Sequence, residues 1–219
     1  WRLSDRICAQ CSGICCIVEV SVSTALPMNA QPSTTKSGVV VLVGVMGSGK
    51  STVGAGIAHV LQCSFVDLDV QITKSAKCTV SEIFARGGET EFRAIETDVL
   101  ATVLDAACAQ IAQQEARSVV VATGGGAIIS QINRDRIAAA ADHVIWLDAQ
   151  IDDLVKRTSS SKTARPLLAN NPQQALSTLS SERSGLYEQV ATAKIDTTGM
   201  RIDQVIDAVA QLVRPMAAK

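Results

Sequence analysis

Aromatic residues are scarce in this chain, at 3% of 219, too few for the stacking platform that single-stranded nucleic acid needs. No charge sign dominates either. Twenty Lys and Arg against 21 Asp and Glu leave a formal net charge of -1, so nothing draws the chain toward a nucleic-acid backbone. No apolar run reaches the roughly 18 residues of a membrane-crossing helix. The expectation is therefore a soluble protein with no nucleic-acid and no membrane partner. Its length suits one α/β domain with a sizeable core, plus a tail.

Seven cysteines are present but unevenly spread. Cys63, Cys78 and Cys108 are scattered and read as small residues of a reducing, cytoplasmic compartment. Cys8, Cys11, Cys15 and Cys16 crowd the first residues. A C-x-x-C pair with two further thiolates is a zinc pattern, but the adjacent Cys15 and Cys16 do not have paired-ligand spacing. Residues 1–37 read as a disordered leader, with Met28 a candidate start, and 38–219 as a single domain.

What the chain does have is Gly44-Val45-Met46-Gly47-Ser48-Gly49-Lys50-Ser51, which satisfies G-x-x-x-x-G-K-[ST] at every fixed position. A β-branched run, 39–43, precedes it as a buried strand, and a helical pattern with Ile57, Val60 and Leu61 follows. Strand, glycine loop and helix form the setting in which backbone N–H groups close around phosphate oxygens. Lys50 is placed for the β and γ phosphates and the Ser51 hydroxyl for Mg²⁺.

Beyond this loop, strand and helix alternate. Residues 65–69 read as a second strand, 119–122 as a third and 144–147 as a fourth, with a weak fifth at 194–196. Thr79-Val80-Ser81-Glu82 is a capping-box signature for a helix that runs to Gly87-Gly88. Helical periodicity then continues from Glu89 to about Glu115 through Phe92, Ile95, Val99 and Val103. A closing helix covers 202–213. Alternation of this kind predicts a parallel sheet with helices on both faces and ligands at the strands' carboxyl ends. That rule gathers Lys50, Asp67, Asp69, Gly124, Gly125 and Gly126 along one rim.

On the second strand, Asp67 and Asp69 are expected to share a face. Two such carboxylates repel unless a cation lies near, and Mg²⁺ beside the phosphates is the natural one. A turn bearing two solvated carboxylates is the alternative. Arg93, Arg165 and Arg183 offer planar forks that suit carboxylate or phosphate. Arg165 follows a run of small polar residues, 158–163, that suits a moving lid.

Taken in order, Gly44 to Thr52, Asp67-Leu68-Asp69, Glu82-Ile83-Phe84, Gly88-Glu89 with Phe92-Arg93, Ala122-Thr123-Gly124-Gly125-Gly126-Ala127, Arg165-Pro166-Leu167-Leu168 and Arg183 with Leu186-Tyr187 resemble the motifs of shikimate kinases. The resemblance implies a P-loop, nucleoside-monophosphate-kinase-like α/β/α fold with a five-stranded parallel sheet. A substrate-binding helical segment and a mobile lid, about 157–169, complete it. The implied activity is MgATP-dependent phosphorylation of the 3-hydroxyl of shikimate, toward chorismate and the aromatic amino acids, by a monomer.

Carried over position by position, the resemblance assigns Gly47, Ser48, Gly49, Lys50, Ser51 and Thr52 to the ATP phosphates. Ser51 and Asp67 fall to Mg²⁺. Asp69 falls to the substrate hydroxyls as candidate base, and Arg93 and Arg183 to the substrate carboxylate. Gly124, Gly125 and Gly126 lie beside the ring, Arg165 comes to the phosphates with the lid, and Arg157 lies on the adenine side. His59 and His143 have no role and are expected on a helix surface and at a strand entry. One departure stands out, since relatives usually carry a glycine where this chain has Ser75-Ala76-Lys77-Cys78. Gluconate kinase is the nearest rival reading. A nucleotide switch would need an N-K-x-D motif, which is absent.

Overall fold

The computed structural model describes residues 38–159 and 171–213. Residues 1–37, with the four clustered cysteines, and Arg165 with most of the expected lid lie outside them.

Five strands form one sheet: β1 (Gly38–Val43), β2 (Ser64–Asp67), β3 (Ser118–Ala122), β4 (His143–Asp148) and β5 (Ala193–Asp196). Their spatial order is β2-β3-β1-β4-β5 and all pairs are parallel. β1 is central, and all six of its residues are buried. A near-continuous Val and Leu run is what a strand covered on both faces requires.

Alternation along β1 assigns the helices to their layers, because successive side chains point to opposite faces. Val40 and Leu42 join Val120, Ile145 and Leu147 in one core cluster. This cluster meets α1 (Lys50–Leu61) through Val53 and Ile57, and α7 (Ile202–Val213) through Val205 and Val209. Val39, Val41 and Val43 look the other way, with Val121 and Trp146. Over them lie α2 (Leu68–Ala76), α3 (Val80–Ala112), α4 (Gln131–Ala140), α5 (Ile151–Ser159) and α6 (Pro172–Val190). The result is the expected three-layer α/β/α architecture.

Four local readings need amendment. The second strand stops at Asp67 instead of reaching residue 69, because the Asp67 side chain accepts from the N–H groups of Asp69 and Val70 and starts α2 as its N-cap. Asp69 thus sits in a first helical turn and not on a strand. Val60 is 38% exposed, since the buried stripe of α1 runs through Val53, Gly54, Ile57 and Ala58. α4, and the 3₁₀ turn Ala127–Ile129 before it, occupy a stretch with no expected element. Residues 157–159, expected to open the lid, are the last turn of α5.

The capping box at Thr79 forms as expected, with Thr79 N–H and Oγ1 both donating to Glu82. The double glycine interrupts α3, where Gly88 takes φ 67 and ψ -160. That conformation is nearly exclusive to glycine, and it lets the helix after it leave in a new direction.

Candidate active site

The loop between β1 and α1 has a geometry that glycine accepts and a side chain would not. Gly44 has φ +143, and a Cβ there would collide with the backbone oxygen of Leu147. Gly49 precedes α1 in a left-handed conformation with no side-chain cap. The first intrahelical bond runs from Val53 N–H to the Gly49 carbonyl at 2.8 Å, so N–H groups ahead of it point out of the helix end. With the helix dipole they form an anion-binding terminus. Ser51 and Thr52 are exposed there, as a ligand-binding position needs. Lys50 is buried and ties the loop together, its Nζ donating to the carbonyls of Gly44 at 2.8 Å and Val45 at 2.9 Å.

The glycine turn after β3 rests directly on this loop. A Cβ on Gly125 would lie 3.1 Å from Met46 N and 3.4 Å from Gly44 O. The phosphate loop and the 124–126 turn are therefore one continuous wall. Asn133, buried on α4, donates to the Ala127 carbonyl at 2.9 Å and holds the turn's far end.

Carboxylates face the same turn. A Cβ on Gly124 would lie 2.8 Å from Glu96 Oε1 and 2.9 Å from Asp69 Oδ1. Both oxygens thus converge on the edge of Gly124. Sequence reasoning singled out Asp69 and missed Glu96. Glu96 is fully buried, and its Oε1 has no hydrogen-bond partner among the described residues. The missed signal was a charged residue on an apolar stripe: Glu96 sits four residues after Phe92 and three before Val99.

Two guanidinium groups complete the wall. Arg93 donates from Nη1 to Glu96 Oε2 at 2.6 Å and from Nη2 to Glu89 Oε1 at 2.9 Å. Its guanidinium lies against Gly126, where a Cβ would be only 2.6 Å from Arg93 Cζ. Arg183, on α6, is 7% exposed and donates from Nη1 to the Gly125 carbonyl at 3.2 Å. Among the described residues it forms no ion pair. A cation this buried, with the Glu96 charge near it but no ion pair of its own among the described residues, favours an incoming anion. Burial pushes the Glu96 carboxyl above the ordinary range, and the charge of Asp69 adds to that, while Arg93 and Arg183 oppose it.

On the far side of the loop, Arg157 donates to Thr197 Oγ1 at 2.9 Å and to its carbonyl at 2.7 Å. Asp153 accepts from Gly199 N–H at 2.7 Å. The structure thus ties Arg157 to Thr197, at the start of the 197–200 segment. His59 is exposed on α1 and His143 opens β4, both away from these contacts. Among the described residues no helix is long and apolar enough to cross a membrane.

A family model described as shikimate kinase matches residues 46–214. The chain is 42% identical over 171 residues to a shikimate kinase of Streptomyces avermitilis, covering 78% of this chain and 92% of that one. It is 39% identical over 170 residues to a shikimate kinase of Synechococcus sp., covering 77% and 80%. A solved shikimate kinase from Acinetobacter baumannii, in complex with shikimate, superposes with a TM-score of 0.72 at 32% identity, covering 82% of this chain and 94% of that one.

Proposed function

Since the chain belongs to the shikimate kinase family, we propose that it transfers the γ-phosphoryl group of ATP to the 3-hydroxyl of shikimate. The observation that carries this reading is the shared wall. Arg93 and Arg183 lie against successive glycines of a turn that itself rests on the phosphate loop. A ring carboxylate gripped by the two arginines puts the ring beside the phosphates, with Asp69 at the hydroxyl edge. The arginine pair together with the glycine turn favours a cyclic carboxylate over an open-chain sugar acid.

Phosphoryl transfer asks the protein mainly for positioning and charge stabilisation. Gly47, Gly49, Ser51 and Thr52 offer backbone donors to the phosphates, and Ser48, whose N–H donates to the Val45 carbonyl at 3.2 Å, holds the turn of the same loop. Lys50 is already held at the loop and supplies positive charge to the transferring group. Asp69 accepts from the attacking hydroxyl, and because the transition state is loose it orients that hydroxyl more than it removes the proton. Arg165, outside the described residues, is assigned to the phosphates, and Arg157 to the adenine side.

Mg²⁺ fits the donor set at the loop, since Ser51 and Asp67 offer one hydroxyl and one carboxylate oxygen, and Mg²⁺ favours a few hard oxygens completed by phosphate and water. When bound, it neutralises charge on the phosphate oxygens. The reading is completed by action as a monomer in the cytoplasm, a reducing compartment in which Cys63, Cys78 and Cys108 stay as thiols. A coupled ADP-release assay with MgATP tests the reading, comparing shikimate, gluconate, quinate and no acceptor. Turnover dependent on shikimate is expected. ADP release with gluconate alone would overturn the acceptor assignment.

A further inference from the structure

Resting on that reading, we propose that Tyr187 is a positioning residue for the acceptor's carboxylate. By holding the Gly125 carbonyl itself, its hydroxyl leaves the Arg183 guanidinium able to turn its donors to the substrate.

The Gly125 carbonyl oxygen accepts twice, from Tyr187 Oη at 2.6 Å and from Arg183 Nη1 at 3.2 Å. A carbonyl has two lone pairs, so the two donors do not compete for one site. The hydroxyl's bond is much the shorter. Arg183 and Tyr187 stand four apart on α6 and so share one face of the helix. Both reach the same oxygen for that reason.

Gly125 leaves no slack at this point. Even a Cβ there would lie 3.1 Å from Met46 N and 3.4 Å from Gly44 O of the phosphate loop, so the turn is packed on that loop and its carbonyl has little room to swing toward another partner. Were Arg183 the sole donor, engaging a substrate carboxylate would mean abandoning a poorly solvated carbonyl or dividing the fork between two acceptors. Both cost affinity. With Tyr187 in place the carbonyl stays satisfied whichever way Arg183 turns.

Tyr187 is well built for a fixed donor. It is 1% exposed, and its ring stacks on Trp146 with centroids 5.6 Å apart. Trp146 is itself set in β4, with Lys194 Nζ 3.9 Å from its ring centroid. Burial raises the phenol's pKa, so the proton stays on the oxygen that must donate it.

The test compares wild type with Tyr187→Phe, which keeps the ring and its stack on Trp146. Two constants are measured in each protein: KM for shikimate, and the inhibition constant of shikimate's carboxamide, which has the same ring without the charge. The expected result is a KM for shikimate raised roughly 5- to 10-fold, the worth of one net hydrogen bond, with KM for ATP unchanged. The carboxamide's constant should be the same in both proteins. Neither constant depends on the folded fraction, so partial loss of protein does not blur the comparison. An unchanged KM for shikimate overturns the proposal. An equal rise for both ligands also overturns it, because a general loosening of the turn would do that. Absence of shikimate-dependent turnover in the wild type is a separate failure, of the assigned reaction.

Discussion

Arg93 and Glu96 face each other one turn apart on α3 and meet at 2.6 Å, with the Glu96 side chain 1% exposed and the Arg93 side chain 23%. The pair is thus anchored from below and open from above. Glu96 fixes the guanidinium from inside the core, while the exposed Glu89 holds Nε and Nη2 on its outer edge, so an incoming carboxylate takes the place of Glu89. Holding an ionised Glu96 there has a cost, because one of its oxygens lacks a hydrogen-bond partner among the described residues.

That cost has a sign that can be measured. The Glu96 pKa is raised in the fold, by burial first and by Asp69 second. An acid with a raised folded pKa lends stability in its protonated form below the ordinary Glu range, and this is lost as pH rises through the folded pKa. Glu96→Gln cannot titrate. The melting temperature of wild type minus that of Glu96→Gln should therefore fall as pH rises above about 4.5, the Glu reference value. A difference that grows with pH would mean the ion pair more than offsets burial.

Asp69→Asn separates chemistry from nucleotide binding. Asp69 is exposed at the start of α2, so the substitution leaves the core untouched. Shikimate-dependent kcat should drop roughly a hundredfold or more. The Kd for ATP, read by titration calorimetry, should stay within about twofold, since the phosphate loop is unchanged. A parallel loss of ATP affinity would place Asp69 on the nucleotide side.

Gly126→Ala and Gly44→Ala should fail in different ways. At Gly126 the new methyl meets the end of the Arg93 side chain, which can move aside. The fold should survive while KM for shikimate rises roughly ten- to a hundredfold, as one charge-assisted hydrogen bond worth about 1.5–3 kcal/mol is lost. At Gly44 the methyl meets the Leu147 backbone at φ +143. Backbone strain alone costs about 1–3 kcal/mol there, so the loss should appear in thermal unfolding. If both variants lose stability equally, the space beside Arg93 is not adaptable.

How legible this was from sequence depended on whether the signal was local. The phosphate loop, the capping box at Thr79 and the apolar runs of β1, β3 and β4 carry their structure within a few residues, and each formed where expected. Asp69 was misplaced onto a strand because Val66 and Leu68 continue an alternating pattern. The deciding term is the Asp67 side chain capping two N–H groups, which hydrophobic periodicity does not register. α4 was missed because its first turns are Gln, Asn and Arg with little apolar contrast. Glu96 and Tyr187 gain their importance from contacts between their helices and the turn after β3, with Gly124 and Gly125. Only the folded arrangement brings those residues together.

The missing glycine near residue 77 provides a last test, away from the site. Lys77 ends α2 at φ 53 and ψ 28, with its N–H donating to the Lys74 carbonyl at 3.3 Å. The turn kept the left-handed shape that glycine takes easily, and a lysine now occupies it. A side-chain-bearing residue in that region is strained by about 1–2 kcal/mol. Glycine would relieve this but add freedom to the unfolded chain. Lys77→Gly should therefore stabilise by about 0.5–1 kcal/mol, raising the melting temperature by roughly 1–4 °C for a domain this size. Lys77 is exposed and touches no assigned ligand position, so KM for shikimate and for ATP should not move. A lower melting temperature would show that the lysine stem packs usefully on α2, and that the left-handed turn carries less strain than its angles imply.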